Sequence, residues 1–276
     1  MYSIDIIKQI TAVLNELESP AKEAEDIVIF ASNLTKTILY RDYPIIPPEI
    51  IKKIEHFAKR RAAREPLQYI LGQVEFLGLT IKVGRGVLIP RPETELVTLH
   101  AINLIKKHSF NKIIDLCTGS GCIALSIARE FPNISITGTD ISDAALKFAK
   151  ENVDLNNITN VSLIKSPLFD QLKNKTFDLI ISNPPYIKTP VIETLQPEIR
   201  LYEPLEALDG GVDGLDLYRK ILNQAPEYLN LDGMIVFEIG DDQGDDIKII
   251  AKDAGFINIE IKNDLANKNR MAIIYG

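Results

Sequence analysis

The stretch from Lys112 to Asp140 limits the possible folds more than any other. Lys112 to Leu116 is a short apolar run of strand length, with Asp115 near its end, and it passes directly into Cys117-Thr118-Gly119-Ser120-Gly121. A strongly helical segment, Cys122 to Arg129, follows at once. Strand, glycine-bearing loop and helix form the opening unit of a doubly wound α/β sheet built around a nucleotide. A second strand over 134–139 ends in Asp140, nineteen residues after Gly121. That is the distance at which a carboxylate accepts hydrogen bonds from both hydroxyls of a ribose. The loop is not the dinucleotide fingerprint, because it lacks the final glycine and has an acid ahead of it. An acid there repels a pyrophosphate and attracts a cationic amino-acid group, so the residues favour S-adenosylmethionine over a nicotinamide dinucleotide.

A second feature lies at Phe177 to Tyr186, Phe-Asp-Leu-Ile-Ile-Ser-Asn-Pro-Pro-Tyr. Its first half is a continuous apolar run, the pattern of a parallel strand buried on both faces. Two prolines cannot continue a ladder, and each pushes the residue before it into extended geometry. Polar groups are therefore presented just beyond the carboxyl end of the strand, the edge at which ligands bind in open α/β sheets. Asn183 offers a side-chain carbonyl, Pro184 and Pro185 offer backbone carbonyls, and Tyr186 adds a flat face. Two acceptors beside an aromatic wall suit a planar group bearing an NH2. An Asn-Pro pair is also a common turn opener, and Tyr186 could be only a core aromatic.

The remaining segments complete the same sheet. A helix over 142–154 leads to a third strand, Val161 to Lys165, and to Ser166-Pro167-Leu168-Phe169. Beyond the fourth strand come a long loop, a helix near Leu215 to Tyr228, a strand from Met234 to Ile239 and a helix over 244–254. Two closing strands, near Ile257 to Ile261 and Met271 to Tyr275, are joined by a short Asn/Lys-rich loop. They are expected to form a hairpin that inserts one antiparallel strand into an otherwise parallel sheet.

Residues 3–70 instead carry helical periodicity, with Ile6, Ile10, Val13, Leu14 and Leu17, then Ile27, Phe30, Ala31 and Leu34, separated by Pro20. A further helix is expected from about Glu49 to Arg64. It bears Lys52, Lys53, Lys59, Arg60, Arg61 and Arg64, which read either as a solvated helix face or as a contact for an acidic or RNA-rich partner. From Val74 to Pro90 the period approaches two, with Gly78 as a central turn residue, so a β-hairpin is expected. Pro90-Arg91-Pro92-Glu93-Thr94-Glu95 opens a helix to about Lys107, with acids in the first turn as the helix dipole prefers. Arg91, Glu93 and Glu95 either cap and solvate that helix or line the mouth of the site.

Across 276 residues, 46% hydrophobic and 25% charged, the composition is that of a globular protein with room for two domains. A formal net charge of −7 argues against a surface that clamps long stretches of nucleic-acid backbone. The two cysteines, Cys117 and Cys122, are too close for a useful disulfide and have no partners at metal-ligand spacing, so no metal and a reduced, cytoplasmic compartment are expected. No signal-peptide pattern or run of membrane-spanning length is expected either.

The chain resembles the bacterial N5-glutamine methyltransferases that modify peptide-chain release factors. The similarity rests on Pro66-Leu67-Gln68-Tyr69-Ile70-Leu71-Gly72, Leu88-Ile89-Pro90-Arg91-Pro92-Glu93-Thr94-Glu95, Asp115 to Gly121, Asn183-Pro184-Pro185-Tyr186, and Glu203-Pro204 leading to Gly210-Gly211-Val212-Asp213-Gly214. It covers nearly the whole chain. Asn-Pro-Pro-Tyr alone is shared with adenine-N6 DNA and guanine-N2 RNA methyltransferases, whereas the Pro-Arg-Pro-Glu-Thr-Glu and Gln-Tyr-Ile-Leu-Gly segments are far more specific. The resemblance implies a class I S-adenosylmethionine-dependent methyltransferase, Rossmann-like, with a mostly parallel seven-stranded sheet, an antiparallel closing strand and a small N-terminal helical domain. The expected divisions are 1–72 as a helical substrate-docking domain, 73–90 as a hairpin linker and 91–276 as the catalytic domain. It further implies methyl transfer to the glutamine of a Gly-Gly-Gln motif, with Asn183, Pro184, Pro185 and Tyr186 catalytic. Asp115, Cys117, Thr118, Gly119, Ser120, Gly121, Asp140, Leu168 and Asn183 are the expected cofactor contacts. The expected partner is a release factor, met by a monomer, with neither DNA nor membrane as substrate. One departure stands out. Where the family usually carries an acid beside Ser166 and then an aromatic that stacks on adenine, this chain has Pro167 and Leu168, which leaves only apolar packing at Leu168.

Overall fold

The computed structural model of the chain describes residues 1–275. The backbone divides into two compact units, Met1–Gln73 with Gln196–Tyr202, and Val74–Leu195 with Glu203–Gly276.

The first unit is helical: α1 (Ser3–Val13), α2 (Pro20–Ser32), α3 (Lys36–Arg41), α4 (Pro48–Ala62) and α5 (Leu67–Leu71). Proline at the first turn of α2 and α4 presets the backbone where no N–H partner is lost. Asn33 ends α2 in the left-handed conformation. Ile6 and Ile10 of the first helix and Leu14 at its end share one core with Ala24, Ile27, Val28 and Ala31 of the second and with Ile54, Phe57 and Ala58 of the fourth. Val13, expected on the apolar stripe, faces outward.

Arg60 and Arg61 of α4, and Arg64 just beyond it, form neither a free solvated face nor an open basic patch. Arg60 donates to both carboxylate oxygens of Glu65 at 2.8 and 2.6 Å. Arg61, only 7% exposed, is held by Glu23 and donates from Nη1 to Glu198 Oε1 at 2.9 Å. Arg64 reaches the other oxygen of Glu198 at 2.8 Å. Glu198 belongs to the segment 196–202, which is thereby fastened into the helical unit, as is Tyr202, whose hydroxyl donates to the Ala63 carbonyl at 2.9 Å.

The second unit begins with a two-stranded hairpin, β1 (Gln73–Phe76) and β2 (Leu79–Lys82). Its tight turn has Leu77 and Gly78 both at positive φ, the backbone twist that two-residue hairpin loops favour. Then follow α6 (Pro92–His108), β3 (Lys112–Leu116), α7 (Cys122–Glu130), β4 (Ser135–Asp140), α8 (Asp143–Leu155), β5 (Val161–Lys165) and β6 (Phe177–Ser182). The helices α9 (Thr189–Ile192) and α10 (Pro197–Tyr202) lie in the long loop, and α11 (Asp216–Tyr228), β7 (Leu229–Glu238), α12 (Gly244–Asp253), β8 (Asn258–Asn263) and β9 (Asn269–Tyr275) complete the chain.

The seven strands run β5-β4-β3-β6-β7-β9-β8, and β9, inserted between β7 and β8, is antiparallel to both. This matches the expected hairpin. One strand begins earlier than its apolar run suggests. Leu229 already pairs with Phe177, the Asn230-Leu231-Asp232-Gly233 excursion passes through a left-handed Asp232, and pairing resumes at Met234 opposite Leu179. On one face of the sheet, Ile114, Ile180, Ile235 and Phe237 meet Tyr218, Ile221, Leu222 and Ala225 of α11, spaced as one helical stripe.

The ion-pair cluster of the helical unit yields a stability prediction. Arg61→Leu leaves Glu23 unpaired and strips Glu198 of one partner, and it is expected to cost about 3 kcal/mol. Chemical denaturation monitored by circular dichroism checks it, and a loss no larger than that of an exposed surface substitution would contradict the buried role.

Candidate active site

Parallel register brings the ends of β3, β4 and β6 level. Leu116 pairs with Thr139 on one side and with Ser182 on the other. The Ser182 hydroxyl also donates to the Leu116 carbonyl at 2.7 Å. The loops that leave these strands, 117–121, 141–142 and 183–186, consequently share one edge of the sheet, as the topology of open α/β folds requires of a ligand site.

The first loop is tightly determined. Cys117, Gly119 and Gly121 all have positive φ, a sparsely populated conformation for cysteine that functional loops commonly hold. A Cβ on Gly121 would crowd Leu125 and Ala149 at 3.3 and 3.4 Å, so only glycine lets the start of α7 pack against α8 there. Asp115, fully buried, accepts from the Thr118 hydroxyl at 2.6 Å and the Ala124 amide at 3.2 Å through Oδ2, while its Oδ1 has no partner. Asp140 Oδ2 accepts from the Gly119 amide and Oδ1 from the Ser142 amide, both at 2.9 Å. Each of those oxygens keeps a second lone pair.

Around this edge lies a cleft of about 730 Å³. Cys117, Thr118, Gly119, Ser120, Asp140, Leu168, Asn183 and Pro185 line it. Asp115 and Gly121 stand behind the loop, and Pro184 and Tyr186 flank the lining residues Asn183 and Pro185 in the same segment. Asp115, expected to face a cationic amino-acid group, accepts its hydrogen bonds from Thr118 of the loop and Ala124 of α7. Arg91 does line the cleft, but Glu95 accepts from the Leu77 amide at 2.9 Å and so fastens the hairpin turn. Asp170 of the loop after β5 also lines the cleft, two residues beyond Leu168. The family's acid is expected beside Ser166, where this chain has Pro167, and Asp170 is the acid of this loop.

A nucleoside fits these residues on two observations. Asp140 presents a carboxylate with acceptor capacity remaining, and Pro167, Leu168 and Ile141 supply apolar wall beside it. Burial pushes the Asp140 carboxyl above its usual range, opposed by the amides of Ser142 and Gly119. Burial likewise raises Asp115, to about 7, against the hydrogen bonds from Thr118 and Ala124 and with the Asp140 charge adding to the rise.

The segments singled out by sequence converge on Asn183 to Tyr186. Glu203, buried, accepts from the Ile89 amide at 3.2 Å and from Arg91 at 2.5 Å, which ties Glu203-Pro204 to Ile89-Pro90-Arg91. Gly210 and Gly214 lie flush with the Asn-Pro-Pro-Tyr backbone: an added Cβ would meet the Pro185 carbonyl and Tyr186 Cα at 2.8 Å in one case and the Tyr186 carbonyl at 2.4 Å in the other. Gln243 donates to the carbonyls of both Tyr186 and Gly214 at 3.1 Å. Two further residues that sequence reasoning did not select touch the motif. Thr94 Oγ1 accepts from Asn183 Nδ2 at 3.3 Å, and the Tyr186 hydroxyl donates to Glu238 Oε1 at 3.3 Å. Glu238 sits at the end of β7, and only the pairing of β6 with β7 puts it near Asn183.

The sheet order, the glycine loop after its first long strand and the acid after its second define an S-adenosylmethionine-dependent methyltransferase of class I. A family model described as "Methyltransferase small domain" matches residues 97–196, and one described as "PrmC N-terminal domain" matches residues 5–72. A crystal structure of a methyltransferase from Pyrococcus furiosus superposes with a TM-score of 0.53 at 21% identity, covering 72% of this chain and 89% of that one. The release factor glutamine methyltransferase of Thermodesulfovibrio yellowstonii is 45% identical over 99% of this chain and 98% of its own. That of Fusobacterium nucleatum is 40% identical over 98% of this chain and 76% of its own. The chain belongs to the release factor glutamine methyltransferase family.

Asp115 generates a pH prediction. Its folded pKa of about 7 lies above the ordinary value of 3.8, so the stability it leaves is fullest below about pH 4 and is lost as pH rises through 7. Asparagine keeps the acceptor for Thr118 and Ala124 without titrating. Asp115→Asn is therefore expected to stabilise the protein at pH 8 by at least about 1 kcal/mol and to flatten the dependence of Tm on pH between about 5 and 8. Thermal denaturation across that range decides; a variant whose Tm follows the parent curve would mean that Asp115 ionises without penalty.

Proposed function

We propose that this chain transfers a methyl group from S-adenosylmethionine to the side-chain amide nitrogen (N5) of the glutamine in the Gly-Gly-Gln motif of peptide-chain release factors, and so modulates translation termination. The observation that carries the proposal is that Asn183 and Asp140 line one cleft, so that an acceptor amide and a bound nucleoside would share it. When bound, the cofactor supplies an electrophilic methyl on a sulfonium sulfur. The task left to the protein is to align a poor nucleophile, since the amide lone pair is delocalised.

Asn183 Oδ1 and the Pro184 carbonyl are the proposed acceptors for the two N–H bonds of the glutamine amide. They hold its nitrogen in line with the methyl and stabilise positive charge as it develops. The new N–CH3 bond would replace the S–CH3 bond, leaving S-adenosylhomocysteine, and one N–H proton would pass to water, so no strong base is required. Tyr186 packs near the amide plane in this reading, Asp140 accepts from the ribose hydroxyls, and Leu168 packs on the adenine. Cys117 to Ser120 line the methionine portion, held in shape by Asp115. The helical unit is proposed to dock the release factor, with the chain acting as a monomer in the cytoplasm on a protein and not on DNA. Its net charge of −7 supports a protein partner over a nucleic-acid backbone. Among the described residues no helix is long and apolar enough to cross a membrane.

Incubation with labelled S-adenosylmethionine and, in parallel, release factor, duplex DNA and ribosomal RNA tests the reading; label in either nucleic acid and not in the release factor would overturn it. Within that assay Asn183→Ala is expected to lower kcat by about 10²–10³ with little change in release-factor binding, because the lost contact serves the transition state. A near-parental kcat would reduce Asn-Pro-Pro-Tyr to a turn. Asp140→Ala is expected to weaken cofactor binding by about 2–4 kcal/mol in calorimetry, the worth of two hydrogen bonds to a carboxylate. Unchanged affinity would remove Asp140 from the ribose.

A further inference from the structure

Thr94 has a single hydroxyl proton and stands between two groups that compete for it. Its Oγ1 lies 2.7 Å from Glu238 Oε2 and 3.3 Å from Asn183 Nδ2. Thr94 and Glu238 are both buried, at 2% and 1% exposure, so no bulk water substitutes for either partner. As a carboxylate, Glu238 can only accept, and at 2.7 Å it takes the Thr94 proton. The Thr94 oxygen is then left with lone pairs alone, and whatever faces it on Asn183 must be a donor. That fixes Nδ2 toward Thr94 and turns Oδ1 to the opposite end of the amide.

Both hydrogen bonds at the Glu238 carboxyl group are donated to it. The Tyr186 hydroxyl donates to its other oxygen at 3.3 Å. The Tyr218 hydroxyl donates to its backbone carbonyl at 2.7 Å and so pins the end of β7. Burial raises the Glu238 carboxyl, while the Thr94 hydrogen bond and the charge of Arg270 on β9 favour its ionised form, and the tyrosine hydroxyl acts in the same sense; Glu93 on α6 is the opposing charge. Thr94 itself is fixed in the first turn of α6, where its carbonyl accepts from the Thr98 hydroxyl at 2.8 Å.

Resting on the function proposed above, we propose that Thr94, anchored on Glu238, is a positioning residue that selects the amide rotamer of Asn183, so that its carbonyl oxygen and not its NH2 meets the acceptor glutamine. The flipped amide would set NH2 against NH2, two donors with no proton acceptor between them. Thr94 also lines the cleft, but its hydroxyl proton is committed to Glu238 and its oxygen to Asn183, so it acts on rate through Asn183. It also assigns a task to the Thr of Pro-Arg-Pro-Glu-Thr-Glu.

Full-length Thr94→Ser, Thr94→Val and Thr94→Ala, assayed with release factor and saturating S-adenosylmethionine, test the assignment. Serine keeps the hydroxyl and is expected to keep kcat. Valine keeps the shape but not the hydroxyl, and alanine removes both without any possible clash. Both are expected to lose about 10- to 100-fold in kcat, the scale of a misaligned reacting group, with KM for the release factor and calorimetric cofactor affinity unchanged. Cofactor affinity certifies that each variant is folded, and alanine decides if valine is not. Parental kcat in folded Val or Ala variants overturns the proposal, as does a Ser variant as slow as Ala. Failure of the parent protein to methylate release factor would instead overturn the proposed function, so the two outcomes are distinct.

Discussion

The parallel pairing of β6 between β3 and β7 is the constraint on which the site depends. It sets Ser182 beside Leu116 on one side and Phe237 on the other, so the next residue on each chain, Cys117, Asn183 and Glu238, emerges at the same edge. Those three positions are more than fifty residues apart in sequence, yet they form one wall and its support. Because β3 and β6 are buried on both faces, a slip in register would expose an apolar strand along its whole length, and the sheet thereby fixes the relative heights of the loops. Positioning at the carboxyl edge is inherited from the core and costs the loops little order of their own.

The same edge concentrates carboxyl groups that burial disfavours in their charged form. Asp115, Asp140 and Glu238 are all shifted upward, and burial is the largest cause for each. Each is retained through hydrogen bonds that it accepts from the loops around it, from Thr118 and Ala124, from Gly119 and Ser142, and from Thr94 and Tyr186. Such groups cost folding free energy in the absence of a cationic ligand, and sites that bind one commonly carry that cost. The arrangement trades some stability of the empty fold for a fixed, anionic interior.

Much of this was legible in sequence because the signals were local. The apolar run of Lys112 to Leu116, the glycines after it, Asp140 at the end of the next strand and the two prolines after Asn183 each act through their own backbone, and the strand and helix positions followed within a few residues. What was not legible depends on pairing. Nothing near Glu238 in the chain marks it out, since its partners are Thr94 and Tyr186. Gly210 and Gly214 stand out in the motif, but their cause, a backbone lying under 3 Å from where a Cβ would stand, belongs to another segment. Arg60, Arg61 and Arg64 look like the neighbouring lysines in sequence, while ion pairing with Glu23, Glu65 and Glu198 separates them.

The helical unit is not one continuous piece of chain. Residues 196–202 are counted within it, and Glu198 bridges Arg61 and Arg64 there, although they are encoded more than a hundred residues after α5. Three peptide connections, not one, therefore join the units. A recombination that exchanged only the first seventy residues between relatives would deliver arginines matched to one sequence and an acid matched to another. Inheritance of this unit as a cassette requires the short segment downstream of Asn-Pro-Pro-Tyr to travel with it, so the helical unit and that stretch of the catalytic gene are expected to diversify together.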